Sequence, residues 1–424
     1  MAKPIKLAAA LTGVALLAAA CASSSTSTGA SSSGGTGKTL IISTDLPLQG
    51  ASKSASESTI NAIKLYLDSI HYKAGPYTIQ LQSYDDSTAA AGKWDAGACA
   101  TNAQAHVANK NEVAVMGTYN SGCAQIEIPV LEQAPGGGML MVSHANTNPG
   151  LTKPWDPGTP AKYYPAGTRN YARVITTDDY QGSAAAQFAA KDLKVKNCYV
   201  LNDNEVYGQG VAKAFADEAT KQGINVLGNQ AWDGKQPNYT ALFTSIKAKN
   251  PDCIYVGGIF DNNGGQLVKD KVSILGDNSK VKLIGPDGFT GYPDLDSLAQ
   301  GQGMYLTFAG LSTSQLVAGG GPGATLLNAY KAKYGSNPTT DYALYGVAAI
   351  QVIVDAISKS DGTRAGVLKQ VFGAGGGIDI PAAQSVLGKE IKIDPTTGDV
   401  GEKDISILQL AKNQEGFLKA WPVS

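Results

Sequence analysis

From Thr39 onward, short apolar runs alternate with longer stretches whose apolar residues recur every three or four positions. The short runs read as buried strands: Leu40–Ser43, Thr78–Tyr84, Val113–Met116 and Met139–Val142. The longer stretches read as amphipathic helices. Ser54-Ala55-Ser56-Glu57 has capping-box spacing, and Ile60, Ile63, Leu67 and Ile70 then share one face. A second series starts near Tyr171, with strands at 172–175, 198–201, 226–227, 253–256 and 283–284. Helices lie between them at 183–193 and 208–222. After Met304-Tyr305-Leu306 the pattern returns to helices, at 325–334 and 341–358, and Gly373 to Gly377 form a loop.

Strand and helix in alternation mean parallel sheets with crossover helices. Two such series followed by returning segments predict an α/β chain of two doubly wound parallel-sheet lobes joined by a multi-stranded hinge. Crossings are expected near 170–178, 308–314 and 380–394. That divides the chain into an amino-terminal lobe, 39–172 and 312–385, and a carboxy-terminal lobe, 173–311 and 386–424. A chain of 424 residues suits two cores better than one.

The first 38 residues follow no such pattern. Lys3 and Lys6 precede a short apolar run, Leu7 to Ala20, which reads as an export signal and is too short for an ordinary spanning helix. It stops at Leu17-Ala18-Ala19-Ala20-Cys21, which resembles the lipobox of bacterial lipoproteins, with Leu17 one place further from the cysteine than is usual there. The resemblance implies a lipidated Cys21 and an extracytoplasmic protein anchored to the cell membrane. Residues 22–38 are small and polar, a tether with nothing to bury.

Export changes how the remaining cysteines are read, because disulfides persist outside the cytosol. Cys99, Cys123, Cys198 and Cys253 allow three pairings. Cys99 and Cys123 flank one strand-and-turn unit. Cys198 and Cys253 each open an apolar strand, and adjacent parallel strands would bring them together. Pairs 99–123 and 198–253 are therefore expected, with buried free thiols as the alternative.

Charge removes other classes. Lys+Arg 34 against Asp+Glu 35 leaves a net charge of −1, which argues against a nucleic-acid surface. The three histidines, at 71, 106 and 144, lack metal-ligand spacing, so neither a metal nor a cofactor is expected. No dinucleotide fingerprint occurs: Gly208-Gln209-Gly210 lacks the third glycine. Ser121 sits in Tyr-Asn-Ser-Gly rather than Gly-x-Ser-x-Gly, with no acid evident to align His144, which argues against a hydrolase.

Candidate chemistry concentrates at Tyr119-Asn120-Ser121-Gly122-Cys123-Ala124. A strand broken by Gly117, a short polar turn and a helix put free backbone N–H groups and the helix's positive end at one spot. That spot suits a carboxylate or phosphate. Ligands of open α/β sheets sit at the carboxyl ends of strands. The polar residues to inspect are therefore Ser121, Ser143 to Thr147, Asp203 to Tyr207, Phe260 to Asn263, and Gly285 to Gly288.

Five segments, in order, resemble one family. They are Tyr119-Asn120-Ser121-Gly122, Met141 to Pro149, Asp178-Asp179-Tyr180-Gln181-Gly182, Val206-Tyr207-Gly208-Gln209-Gly210 and Gly285-Pro286-Asp287-Gly288. Together they are similar to the type I periplasmic binding proteins of branched-chain amino acid ABC transporters, over roughly Thr39 to the end. The resemblance implies that Ser121 binds a ligand carboxylate and that the Ala145 carbonyl accepts from an ammonium. Thr147 would contact both charged groups, while Asp287 and Asp178 (or Asp179) would pair with the ammonium. Tyr207 and Phe260 would be aromatic residues of the cleft. It also implies a disulfide like Cys99–Cys123, although Cys123 lies two positions later than the family's cysteine.

A second departure concerns the ligand. Leucine-binding relatives place an aromatic soon after the Gly50 loop, where Ala51-Ser52-Lys53-Ser54-Ala55 has none. The expectation is a monomeric, non-enzymatic binding protein that closes on an amino acid, branched-chain or more polar, and works with an ABC permease and ATPase. An amide, urea or a small organic acid, or a sensing role, is the alternative.

Overall fold

The computed structural model describes residues 37–401 and 403–422. The export-signal reading, Cys21 and the tether as far as Thr36 lie outside the described residues.

The first lobe is built from β1 (Thr39–Leu46), α1 (Lys53–Ser69), β2 (Lys73–Ala74), β3 (Tyr77–Asp85), β4 (Ser87–Thr88), β5 (Lys93–Trp94), α2 (Ala96–Ala108), β6 (Glu112–Gly117), α3 (Ser121–Glu132), β7 (Leu140–Ser143) and β8 (Tyr171–Arg173). Its sheet runs β2-β3-β1-β6-β7-β8, parallel except for the short β2 edge. Seven of the eight β1 residues and all of β6 and β7 are buried. Their continuous apolar runs are what a sheet covered on both faces requires.

The second lobe follows with α4 (Asp178–Lys191), β9 (Asn197–Asn202), α5 (Val206–Lys221), β10 (Asn225–Ala231), α6 (Thr240–Lys247), β11 (Cys253–Gly257), α7 (Gly264–Leu275), β12 (Lys282–Gly285), α8 (Pro293–Asp296) and β13 (Tyr305–Phe308). The chain then adds α9 (Thr313–Leu316), α10 (Pro322–Tyr334), α11 (Tyr342–Ser358) and α12 (Arg364–Phe372). Last come β14 (Ile378–Ile380), β15 (Ile391–Ile393), β16 (Asp404–Ala411) and β17 (Gln414–Pro422). The second sheet runs β10-β9-β11-β12-β13-β16-β17. Helix α11, buried along nearly its whole length, packs on α1 and against β6 and β7, so it belongs to the first lobe. The chain thus passes between the sheets at 174–177, 309–312 and 394–403.

Several boundaries differ from the sequence pattern. The strand expected at 172–175 is β8, the last strand of the first sheet, because it pairs with β7; the second sheet begins at β9. Expected near 380–394, the last return to the second sheet comes only at β16, because 378–393 close on themselves as the β14–β15 hairpin. The antiparallel β16–β17 ribbon that completes the second sheet was not anticipated. Helix α1 starts at Lys53, and its N-cap Ser52 makes no cap bond; its hydroxyl donates to Asp261 instead. Helix α3 begins at Ser121, four residues before Gln125.

Both cysteine pairs are joined. Cys99–Cys123 ties α2 to α3 with Cα atoms 5.6 Å apart. Cys198 and Cys253 are register partners on β9 and β11, with Cα atoms 4.4 Å apart.

Candidate functional site

Both sheets end their strands at a common cleft. From the first lobe, β6 leads through Thr118–Asn120 into α3, whose N-cap residue Asn120 makes no side-chain cap bond. The first N–H groups of α3 therefore remain as donors at the positive end of its dipole. The Ser121 hydroxyl accepts from Asn148 N at 3.4 Å, which leaves its own proton to donate outward. The neighbouring turn is held rigidly. Ser143 Oγ donates to Thr118 O (3.0 Å), and Asn146 Nδ2 donates to Thr118 O and Tyr119 O (2.8 and 3.1 Å). Beneath it the buried Arg173 donates through Nη1 to Asn146 O and Asn148 O (2.8 and 2.9 Å), while its Nε pairs with Asp399. That clamp fixes the segment carrying Ala145 and Thr147.

Facing this wall is Asp287, at the turn after β12 and 1% exposed. Its carboxylate accepts from the Tyr207 hydroxyl and, at 2.5 Å, from the Tyr342 hydroxyl. Tyr207 starts α5 of the second lobe, whereas Tyr342 starts α11 of the first, so the Tyr342 bond spans the cleft. Burial pushes the Asp287 carboxyl up, while Tyr207, Tyr342, Gln181 and Gly288 N–H hold it down. Asp178 is also fully buried, and neither of its oxygens has a hydrogen bond of good geometry. Burial and then repulsion from Asp287 push it well above the usual carboxylate range, and the Thr147 hydroxyl opposes them. Two buried carboxyls that repel each other favour a guest that brings positive charge.

Between the walls lies a narrow cavity of about 20 Å³ lined by Tyr119, Asn120, Ser121, Ala145, Tyr207, Ile259, Asp287, Gly288 and Tyr342. No lysine or arginine lines it. Four residues singled out from the sequence, Ser121, Ala145, Tyr207 and Asp287, meet on this cavity. Thr147 and Asp178 stand just outside the lining, linked by Asp178 N to Thr147 O at 2.9 Å. Phe260 is not among the lining residues. Its ring packs on Phe289 and Tyr292, with centroids 6.0 and 4.9 Å apart, as a core residue does.

Sequence reasoning assigned no role to Tyr119, Asn120, Ile259 or Tyr342. The first two lay inside the stretch it singled out. Tyr342 carried no local signal, since its place is set by α11 returning to the first lobe some 200 residues downstream. His144 has its ring 5.7 Å from Tyr119 and 5.8 Å from Tyr342. Fully buried and without a hydrogen-bond partner, it has its pKa depressed by burial to about 3, so it is neutral.

The lobes also meet around the rim. Asp261 accepts from Ser52 N (3.1 Å), Ser52 Oγ (2.8 Å) and the Tyr292 hydroxyl (2.7 Å). Lys93 pairs with Glu205 and donates to Asn262 Oδ1 at 2.6 Å, and Trp94 Nε1 donates to Glu205 at 3.0 Å. Asn148 Nδ2 reaches Val206 O at 3.0 Å. With these bonds made, the cleft is in a closed arrangement. A larger hollow beside the crossings, containing Lys153, Tyr180, Asp394, Asp399 and Lys403, shares no residue with this cavity. Its cations are matched by carboxylates, so it has no net preference for an ion.

The profile of one family, described as periplasmic binding protein, matches residues 45–414. The chain belongs to the periplasmic binding protein family. Among curated relatives, the Leu/Ile/Val-binding protein BraC3 of Rhizobium johnstonii is 30% identical over 58% of this chain and 60% of its own length. The leucine-specific-binding protein of Salmonella typhimurium is 24% identical over 53% of this chain and 55% of its own. These matches therefore span less than two thirds of either relative.

Solved periplasmic binding proteins show the same fold over nearly the whole chain. The leucine binding protein LivK of Thermotoga maritima superposes with a TM-score of 0.72 at 20% identity, covering 90% of this chain and 98% of that one. A solute binding protein of R. palustris in complex with 4-hydroxybenzoate gives 0.73 at 16%, covering 91% and 98%. The fold is that of a type I periplasmic binding protein, two parallel-sheet lobes with a cleft between them.

Proposed function

We propose that this periplasmic binding protein is the extracytoplasmic substrate-binding subunit of an ABC importer, anchored to the membrane through a lipidated Cys21, and that its ligand is an amino acid. The observation that carries the reading is the pairing of unlike walls across one cavity. A helix N-terminus with the Ser121 hydroxyl faces the buried carboxyl of Asp287, with the buried Asp178 outside the lining and no lysine or arginine lining the space. An α-carboxylate fits the first wall and an α-ammonium the second. Relatives named for binding leucine, isoleucine and valine support the class. Relatives of the same fold bound to aromatic acids make a small organic acid the competing reading, but an anion alone would leave the carboxyl pair facing no cation.

In this account the ligand first meets Ser121, Ala145 and Thr147 on the open first lobe. The second lobe then closes, bringing Asp287 and Tyr207 to the ammonium. Closure is favoured because only the closed form makes both sets of contacts. Permease and ATPase partners would recognise that form. The wall residues Tyr119, Tyr342 and Ile259 carry no charge, so an uncharged side chain is expected. A thermal-shift screen of the purified protein against the standard amino acids, urea, acetamide and 4-hydroxybenzoate tests the proposal. Stabilisation by one or more amino acids with uncharged side chains is expected; stabilisation by 4-hydroxybenzoate alone would replace the amino acid reading.

A further inference from the structure

A second cluster of ionisable groups lies in the first lobe, where α2 and α3 cover the sheet. Asp45 comes from β1, Asp86 follows β3, His106 comes from α2 and Glu127 from α3; all four are 0% exposed. His106 Nε2 lies 3.1 Å from Asp45 Oδ2. On its other side, Nδ1 lies 2.5 Å from Glu112 Oε1. The second oxygen of Asp45 accepts from Asn102 Nδ2 at 3.0 Å. Ligand-capable atoms of Asp45, His106 and Glu127 all lie within 4.8 Å of one another. Glu127 Oε2 and both oxygens of Asp86 are buried with no hydrogen-bond partner. His106 pairs with Asp45 and Glu112, but among the described residues no lysine or arginine forms a salt bridge with any of these carboxylates, and Asp86 and Glu127 have no cationic partner.

Unpaired buried carboxylates are costly, so this much negative charge needs either protons or a cation. The geometry favours a cation. With Nδ1–H held by Glu112, His106 keeps Nε2 against Asp45, where an ion would take the place of the Nε2 proton, the arrangement that orients metal-binding histidines. One nitrogen with carboxylate oxygens suits zinc, or a similar transition ion, better than calcium or magnesium, which take oxygen almost throughout. Asp86 also lies near Cys99 and Cys123, but disulfide sulfurs offer no thiolate. We propose that Asp45, His106 and Glu127 form a structural site for a divalent transition-metal ion, zinc by donor set, with Glu112 positioning the imidazole and the unpaired Asp86 adding negative charge beside it. Histidine spacing alone argued against a metal, because these donors come from three elements rather than one motif. An ion there would fasten α3, the helix that carries Ser121 into the cleft, to α2 and β1.

The test uses the full chain with its disulfides intact, refolded from urea with EDTA or with zinc chloride, then dialysed. Metal content is read by mass spectrometry and the melting temperature by calorimetry. One zinc per chain and a higher melting temperature than the EDTA sample are expected. Zinc affinity should fall at least 10-fold in Glu127→Gln, and about 10–100-fold in the positioning variant Glu112→Gln. Should either variant fail to refold, the wild-type comparison alone decides. Wild type that retains no zinc or manganese and melts identically in both preparations overturns the proposal. So does a Glu127→Gln protein that melts higher than wild type with the metal content of both at zero, since protons would then be what neutralises the cluster.

Discussion

The two walls of the cleft are made by different means. On the first lobe, binding power comes from the backbone: a strand, a three-residue turn and the start of α3 aim N–H groups at one spot, and Ser121 adds a hydroxyl. Those donors are prepaid by folding, uncharged, and fixed by the hydrogen bonds of Ser143, Asn146 and Arg173. On the second lobe the work falls to side-chain carboxyls, Asp287 and Asp178, whose burial is unfavourable until a cation arrives. On the proposed reading, the first wall would bind weakly while open. The second would gain its partner only on closure, which would make it the wall that rewards shutting the cleft.

Breaking the second wall should therefore have the larger effect. Asp287→Ala removes the ammonium partner and orphans the Tyr207 and Tyr342 hydroxyls, a change of the kind that costs about 2–5 kcal/mol. By calorimetry, affinity for the amino acid found in the screen should fall by at least about 30-fold while the melting temperature stays within a few degrees. Unchanged affinity would mean that the ammonium lies elsewhere.

A smaller effect is expected at the rim. Asp261→Asn cannot accept from Ser52 N, Ser52 Oγ and Tyr292 together, so the closed form loses about 1 kcal/mol. Ligand affinity should drop about fivefold, and small-angle scattering of the unliganded protein should shift toward a larger radius of gyration. No change in either would show that the Asp261 cluster does not help to hold the lobes together.

The smallest effect on binding should come from His144→Phe, which keeps a ring against Tyr119 and Tyr342. Its signature lies in acid stability. The His144 pKa is depressed to about 3 in the folded protein and is near 6.5 when unfolded, so the unfolded chain binds the extra proton between those values. Its stabilising contribution is therefore present above about pH 6.5 and lost as pH falls toward 3. In melting curves across that range, His144→Phe should lose less stability on acidification than wild type. Equal slopes would mean that the imidazole is protonated in the fold.

The same contrast decides what was legible from sequence. The first wall was, because strand, turn and helix start are local, and Val113 to Ala124 carries all three. Asp287 was singled out by its place at a strand end, but its role came only through the family resemblance, since Pro286-Asp287-Gly288 by itself is a turn sequence. Tyr342 went unassigned because it reaches the cleft through the returning helix α11, a tertiary fact. Ser52 carried no local signal, lying just ahead of the expected helix start at Ser54, yet its hydroxyl serves Asp261 more than 200 residues away. Phe260 shows the converse: an aromatic at a strand end that fills the core beside Phe289.

The most direct measurement compares, by calorimetry on wild-type protein, the amino acid that binds tightest in the screen with its analogues lacking only the ammonium or only the carboxylate. For leucine these would be 4-methylpentanoate and isopentylamine. The account predicts that losing either charged group weakens binding at least about 100-fold, because each wall is then left facing nothing of opposite sign. A deaminated acid that binds as tightly as its parent would contradict it, since the carboxyls of Asp287 and Asp178 would then have no part in recognition.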